Sequence, residues 1–200
     1  MRLLQRIAED EVVAEFLRAE IQSKRFGENI RKALGNVDDR IITEPDLNDP
    51  EENRYRKKIL GDARGYGRNK GLFENFPRQV NWYRAVVSKE ELKSVMYINY
   101  SYWNELSSGT RLPAEAAKNI QNGVEVFDVS NDGFKQIQHE IRRGAVFPKL
   151  IFVSRNERAR VVVLEGHARL TAYFLDEAHI PAELEVMIGF SEQFAEWDLY

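Results

Sequence analysis

The spacing of apolar and polar positions changes most clearly near the C-terminal end of the chain. Val161 to Leu164 form an apolar, β-branched run, which predicts a strand covered on both faces. After Gly166, the apolar residues Leu170, Tyr173 and Phe174 follow at i, i+3 and i+4, which predicts one face of a helix. The pattern therefore predicts a strand, a turn at a single glycine and a helix in direct succession.

The same patterns predict a helical N-terminal segment, followed by strands and helices in the rest of the chain. Residues 1 to 35 carry apolar positions at helical spacing and are predicted to be helical. A capping box at Ser88 predicts the start of a further helix. The remaining predictions are strands at 79–87, 124–127, 150–153, 160–164 and 184–188 and helices at 114–120 and 134–141. The short linker between the strands at 150–153 and 160–164 forces an antiparallel hairpin.

The glycine turn is the strongest candidate for binding chemistry. A helix that begins after a glycine presents unpaired N–H groups and a partial positive charge, which favour an anion. Arg169 in the first turn supplies a forked cationic donor suited to phosphate. The alternative is structural, because Glu165 and Arg169 are spaced i, i+4 and can simply pair with each other.

The run from Glu165 to Arg169 reads Glu-Gly-His-Ala-Arg, with Val-Val-Val-Leu before it and Leu-Thr-Ala-Tyr after it. It resembles the signature loop of the ParB/sulfiredoxin superfamily. The resemblance extends upstream through 141–154 and ends near Ile188, so that it covers roughly the last third of the chain. It implies an α+β fold with a small mixed β-sheet flanked by helices. It also implies that nucleotide phosphates are held by Gly166, His167, Ala168 and Arg169.

Differences within that family narrow the chemistry that the resemblance implies. Sulfiredoxins carry a catalytic cysteine directly after the glycine, whereas this chain has His167 there and contains no cysteine, so sulfiredoxin chemistry is excluded. The closest local resemblance is to the free-serine kinase branch, with its Asp-Gly-His-His-Arg. The resemblance implies ATP or CTP, with Mg²⁺, as the cofactor. It implies phosphoryl transfer or nucleotide hydrolysis as the reaction. His167 would bond phosphate or act as acid or base, and Glu165 would hold Mg²⁺ or orient Arg169.

A second loop of small residues also precedes a predicted helix. Thr110 and Arg111 lie just before Pro113, which favours a helix start, so they form a second potential anion site. The alternative is a helix cap with a solvated Arg111. If both loops face one cleft, Arg111 and Arg169 would grip the same anion.

Charge is distributed unevenly along the first half. The stretch 36–53 is acidic and is predicted to be a loop. The stretch 54–78 then carries eight basic residues against two acidic ones, together with four glycines. That segment predicts either a DNA-binding surface of a non-catalytic protein, a lid over a nucleotide, or a surface loop neutralised by the preceding acids.

Composition limits the other possibilities. A hydrophobic content of 43% supports a packed core, and the absence of cysteine excludes disulfides and thiolate metal sites. The net charge of -3 argues against wholesale coating of nucleic acid. No apolar run has the length of a membrane span, so we expect a cytoplasmic protein without a membrane partner. The expected ligand is the nucleotide or phosphorylated small molecule that the glycine turn would bind. We predict a helical N-terminal portion at 1–120, which could mediate a homodimer, and a ParB/sulfiredoxin-like domain at 121–200. The two portions are expected to pack together as one compact unit.

Overall fold

A five-stranded mixed sheet organises the molecule. A computed structural model describes residues 1–200. The strands are Arg2–Ile7 (β1), Asn81–Ser88 (β2), Ile151–Ser154 (β3), Val161–Glu165 (β4) and Glu183–Phe190 (β5). Their order in the sheet is β1-β2-β5-β3-β4. The β5 and β3 strands run parallel, and every other neighbouring pair is antiparallel. All four residues of β3 are buried, so both faces of the sheet are covered at that point.

Nine α-helices accompany the sheet. They are Glu9–Ile21 (α1), Gly27–Leu34 (α2), Arg40–Thr43 (α3), Pro50–Arg64 (α4), Lys89–Leu92 (α5), Ser101–Leu106 (α6), Pro113–Gln121 (α7), Asp132–Arg142 (α8) and His167–Leu175 (α9). Short 3₁₀ turns lie at Gly71–Phe73, Glu177–His179 and Glu192–Glu196. The α1 helix packs against α2 and α4, whereas α9 packs against α7 and α8. The predicted α+β class is therefore confirmed.

The two predicted portions of the chain share one sheet and one core. The strands β1 and β2 precede residue 120, and β3 to β5 follow it, yet β2 pairs with β5 along its whole length. One continuous cluster of buried apolar side chains also runs from Val12 in α1 to Tyr200. The boundary at residue 120 therefore separates no structural unit from another.

Several local predictions are confirmed. The β3–β4 hairpin is antiparallel, β5 contains the predicted strand at 184–188, and α8 covers the predicted helix at 134–141. The capping box is present, because Ser88 accepts the Glu91 amide while the Glu91 carboxylate accepts the Ser88 amide. The hairpin and the capping box depend on residues within a few positions of one another, which explains why their sequence patterns identify them.

Three predictions of secondary structure are wrong. Residues 2–7 form β1 rather than helix, because they pair with β2 from about 80 residues away. The loop and basic segment predicted from 36 onward contain α3 and the long helix α4, whose start is capped by Asp49 accepting from the Glu51 and Glu52 amides. The stretch 124–127 forms only an isolated bridge between Val126 and Val129 rather than a strand.

Candidate functional site

The turn at Gly166 joins β4 to α9 in a conformation that requires glycine. Its φ of 98° lies in the left-handed region, and a Cβ added there would overlap the Leu150 side chain. The helix begins at once, since Leu170 donates its amide to the Gly166 carbonyl at 2.8 Å. The amides of His167, Ala168 and Arg169 donate to no other group of the chain. They form the electropositive helix end that the sequence predicted.

Arg169 turns inward from this helix end. Its side chain is buried, and its guanidinium donates to the Glu165 carboxylate and to the carbonyls of Pro148 and Lys149. Burial raises the pKa of Glu165, and the charge of Arg169 opposes that shift. Arg169 therefore ties the glycine turn to the segment before β3, and Glu165 neutralises it. The structural alternative for this pair fits these contacts.

His167 is held in an aromatic setting at the first position of α9. Its ring lies nearly parallel to those of Trp103 and Tyr97, with centroid separations of 5.1 and 6.1 Å. Tyr97 is fully buried, and its hydroxyl lies 2.6 Å from that of Thr171 in α9. Trp103 and Tyr97 thus support the histidine from within the core.

The imidazole of His167 is neutral at physiological pH. Burial, together with the positive charges of Arg64, Arg169 and Arg25, lowers its pKa to about 3. A neutral ring can bond a ligand or accept a proton, but it has no imidazolium proton to donate. Its Nε2 atom is buried and has no hydrogen-bond partner.

Two arginines from the N-terminal half complete the electropositive surroundings. Arg25, between α1 and α2, and Arg64, at the end of α4, both stack on the ring of Phe26, at 4.9 and 3.7 Å from its centroid. Arg25 is exposed and forms no ion pair, whereas the Arg64 Nε atom lies 3.3 Å from the buried Glu20 carboxylate. The hydroxyl of Tyr102 is buried without a hydrogen-bond partner. Burial raises the pKa of Tyr102, and the charge of Arg25 opposes that shift. We call this group (the helix end at 166–169 with Arg25, Phe26, Arg64 and Tyr102) the α9 site.

Sequence reasoning did not connect Arg25, Phe26, Arg64 and Tyr102 with the glycine turn. They belong to three separate elements and follow no shared spacing, so no local pattern connects them to Gly166. The one available signal was the pair of aromatic and basic residues at 25–26, directly before Gly27, where α2 begins. That signal predicts a cation stacked on a ring but does not identify the partner helix.

The second predicted anion loop does not join the first. Arg111 donates to the carbonyl of Tyr97 at 2.9 and 2.6 Å and to the backbone oxygen of Tyr200 at 3.0 Å. Thr110 donates to the Ser107 carbonyl at 2.8 Å and accepts from the Leu112 amide. Both side chains are therefore hydrogen-bonded to nearby backbone groups. The guanidinium groups of Arg111 and Arg169 share no hydrogen-bond partner.

The basic segment at 54–78 is largely neutralised. Five of its eight cations pair with carboxylates, namely Arg54, Arg56, Lys57, Lys58 and Arg68, and a sixth, Arg64, lies 3.3 Å from the buried side chain of Glu20. Arg56 is fully buried and also donates to the carbonyls of Ile41 and Asp46. Only Lys70 and Arg78 are free of carboxylates, which leaves little unbalanced charge for a phosphate backbone.

Two further features bear on ligands. No cluster of three or more histidine, aspartate or glutamate side chains is arranged to hold a metal ion. None of the helices combines the length and the apolar character needed to cross a membrane.

Comparison with protein families, with curated proteins and with solved structures finds no match to this chain. The resemblance to the ParB/sulfiredoxin superfamily therefore stays a prediction that depends on the loop and its flanking residues.

Proposed function

We propose that this chain binds a phosphate-bearing ligand, in the first instance a nucleotide, at the α9 site. The observation that carries the proposal is that the first turn of α9 holds three unpaired amides and the unpartnered Nε2 of His167, on which the charges of Arg25 and Arg64 act. Helix N-termini and arginine guanidinium groups are the two features that proteins most often combine to bind phosphate.

Each residue has a distinct part in this proposal. Gly166 permits the left-handed turn that opens α9, and the amides of 167–169 donate to the phosphate oxygens. Arg25 and Arg64 supply positive charge, and His167 bonds the ligand as a neutral ring. Arg169 and Glu165 are positioning residues, because their charged groups are already bonded to each other and to the backbone.

ATP and CTP, with Mg²⁺, are the first ligands to test. With no carboxylate cluster for a metal, Mg²⁺ would enter bound to the nucleotide phosphates. If the protein is an enzyme, phosphoryl transfer is the reaction class that fits, because it depends on positioning and charge neutralisation more than on a special nucleophile. His167 would then bond the phosphoryl group as a neutral ring, because a pKa of about 3 makes the imidazole too weak a base to accept a proton at neutral pH.

A thermal-shift screen tests the binding proposal. It would compare ATP, CTP, GTP and inorganic phosphate, each with and without Mg²⁺, on the purified protein. A ligand at about a hundred times its dissociation constant adds roughly 2.7 kcal/mol, which corresponds to about 5–11 °C for a chain of this size. A flat response to every ligand would refute the proposal.

Two substitutions locate the site. Arg25→Ala should weaken binding by about 1.5–3 kcal/mol, roughly tenfold to a hundredfold, because it removes a charged donor. The matched control is Lys24→Ala, which removes the same charge from the neighbouring residue, whose ammonium contacts Gln136 instead. Equal losses in both variants would mean that general electrostatics, rather than the α9 site, attracts the ligand.

A further inference from the structure

Glu20 has an unusual position next to the α9 site. It lies in the last turn of α1 with only 4% of its surface exposed. One carboxylate oxygen, Oε1, is 3.3 Å from Arg64 Nε, while the other, Oε2, is buried and has no hydrogen-bond partner. A buried polar atom without a partner is costly, so such atoms are rare unless a ligand or a water completes them.

The charged groups that face Glu20 come from α4, from the segment after α1 and from both sides of the glycine turn. Arg64 ends α4, Arg25 follows α1, and Glu165 and Arg169 flank the glycine turn. Burial raises the pKa of Glu20 to about 8. Glu165 adds to that shift, whereas Arg64, Arg25 and Arg169 oppose it. At neutral pH the side chain is therefore mainly a carboxylic acid, which carries an O–H donor.

A neutral acid and an ionised one have opposite effects on a phosphate. A carboxylic acid donates a hydrogen bond to a phosphate oxygen, whereas a carboxylate would repel it. We propose, on the basis of the phosphate site inferred above, that Glu20 binds a phosphate oxygen as a neutral carboxylic acid and makes binding depend on one proton. Because Glu20 shares Arg64 with the α9 site, the ligand would meet the acid and the guanidinium together.

The test measures anion binding against pH. Inorganic phosphate and sulfate would be titrated calorimetrically into the protein at pH 7 and pH 9, since sulfate keeps its charge across this range while phosphate does not. Of the other groups that face the site, His167 and Tyr102 do not titrate in this window, because the pKa of His167 is about 3 and that of Tyr102 is raised. Sulfate should bind about tenfold more weakly at pH 9 than at pH 7.

Three variants separate the role of the proton from a structural role. Glu20→Gln keeps an N–H donor that does not titrate, so it should bind at both pH values with a ratio near one. Glu20→Ala removes the donor and should bind more weakly at both. The matched control is Glu15→Gln, because Glu15 is equally buried on α1 but accepts the Lys149 amide. It should keep the tenfold ratio.

The outcomes distinguish this inference from the proposed function. If the unaltered protein binds neither phosphate nor sulfate at any pH, the phosphate site itself is refuted. If it binds with the same pH ratio as Glu20→Gln, the site stands and the role of Glu20 is overturned. The role of Glu20 is also overturned if Glu20→Gln is folded but binds at neither pH, because its amide offers the donor that the acid would provide.

Discussion

Replacement of Arg169 by alanine gives the sharpest test of how the glycine turn is held. The substitution removes the donor to the Glu165 carboxylate and to two backbone carbonyls. It leaves Glu165 as a buried charge without a partner, and breaking a buried ion pair in this way costs about 3–5 kcal/mol. For a chain of this size, that corresponds to a fall of about 6–20 °C in melting temperature.

Urea unfolding followed by circular dichroism would measure this cost for three variants. Arg169→Ala should lose about 3–5 kcal/mol, whereas the double variant Arg169→Ala with Glu165→Gln should lose less, because it removes both charges. The single variant Glu165→Gln completes the cycle. If Arg169→Ala stayed within about 1 kcal/mol of the unaltered protein, Arg169 would not be a structural tie but a residue free to bind ligand.

The pH dependence of the same variant has a defined sign. Burial raises the pKa of Glu165 in the folded protein, and loss of Arg169 removes the charge that opposes this shift. A group with a raised folded pKa stabilises fully below its unfolded pKa of about 4.3 and loses that contribution as pH rises. The deficit of Arg169→Ala should therefore be larger at pH 8 than at pH 5. An equal deficit at both pH values would show that Glu165 is not the group left unpaired.

Three further predictions concern other contacts. Gly166→Ala should destabilise the protein more than Gly144→Ala in thermal melting, because both glycines have positive φ but only the first would clash; we expect a difference of about 1–3 kcal/mol. Arg111→Ala should lower the free energy of unfolding in urea by about 2–3 kcal/mol, because it removes donors to the carbonyl of Tyr97 and the backbone oxygen of Tyr200. Between pH 6.5 and 5 the unaltered protein should lose about 1.4 kcal/mol of stability per pH unit relative to His167→Gln in urea unfolding, because the unfolded chain protonates His167 before the folded one does.

Local sequence patterns predicted the parts of the fold that local contacts determine. The β3–β4 hairpin, the Ser88 capping box and the turn at Gly166 all depend on residues within a few positions of one another. The strand β1 could not be found in this way, because its partner β2 lies about 80 residues further along the chain. The helix α4 carried a readable start in Asp49 and Pro50, but its charge pattern favoured a loop.

The candidate site was predictable to a similar extent. The unpaired amides and the histidine follow from a glycine between a strand and a helix, so Gly166 and His167 could be identified. Whether Arg169 faces solvent or the interior depends on the carbonyls of Pro148 and Lys149, which no i, i+4 rule includes. The contribution of Arg25 and Arg64 depends on packing between distant helices.

The order of strands in the sheet has a consequence for synthesis of the chain. Of the five strands, only β5 lies between the pair β1–β2 and the pair β3–β4. At about 5–20 residues per second, a ribosome completes β5 some 5–20 s after β2. Until then β2 presents an open edge, which invites pairing with other chains. The glycine turn follows β4, which joins β1 and β2 only through β3 and β5, so binding competence should arise late in folding, after β5 has docked.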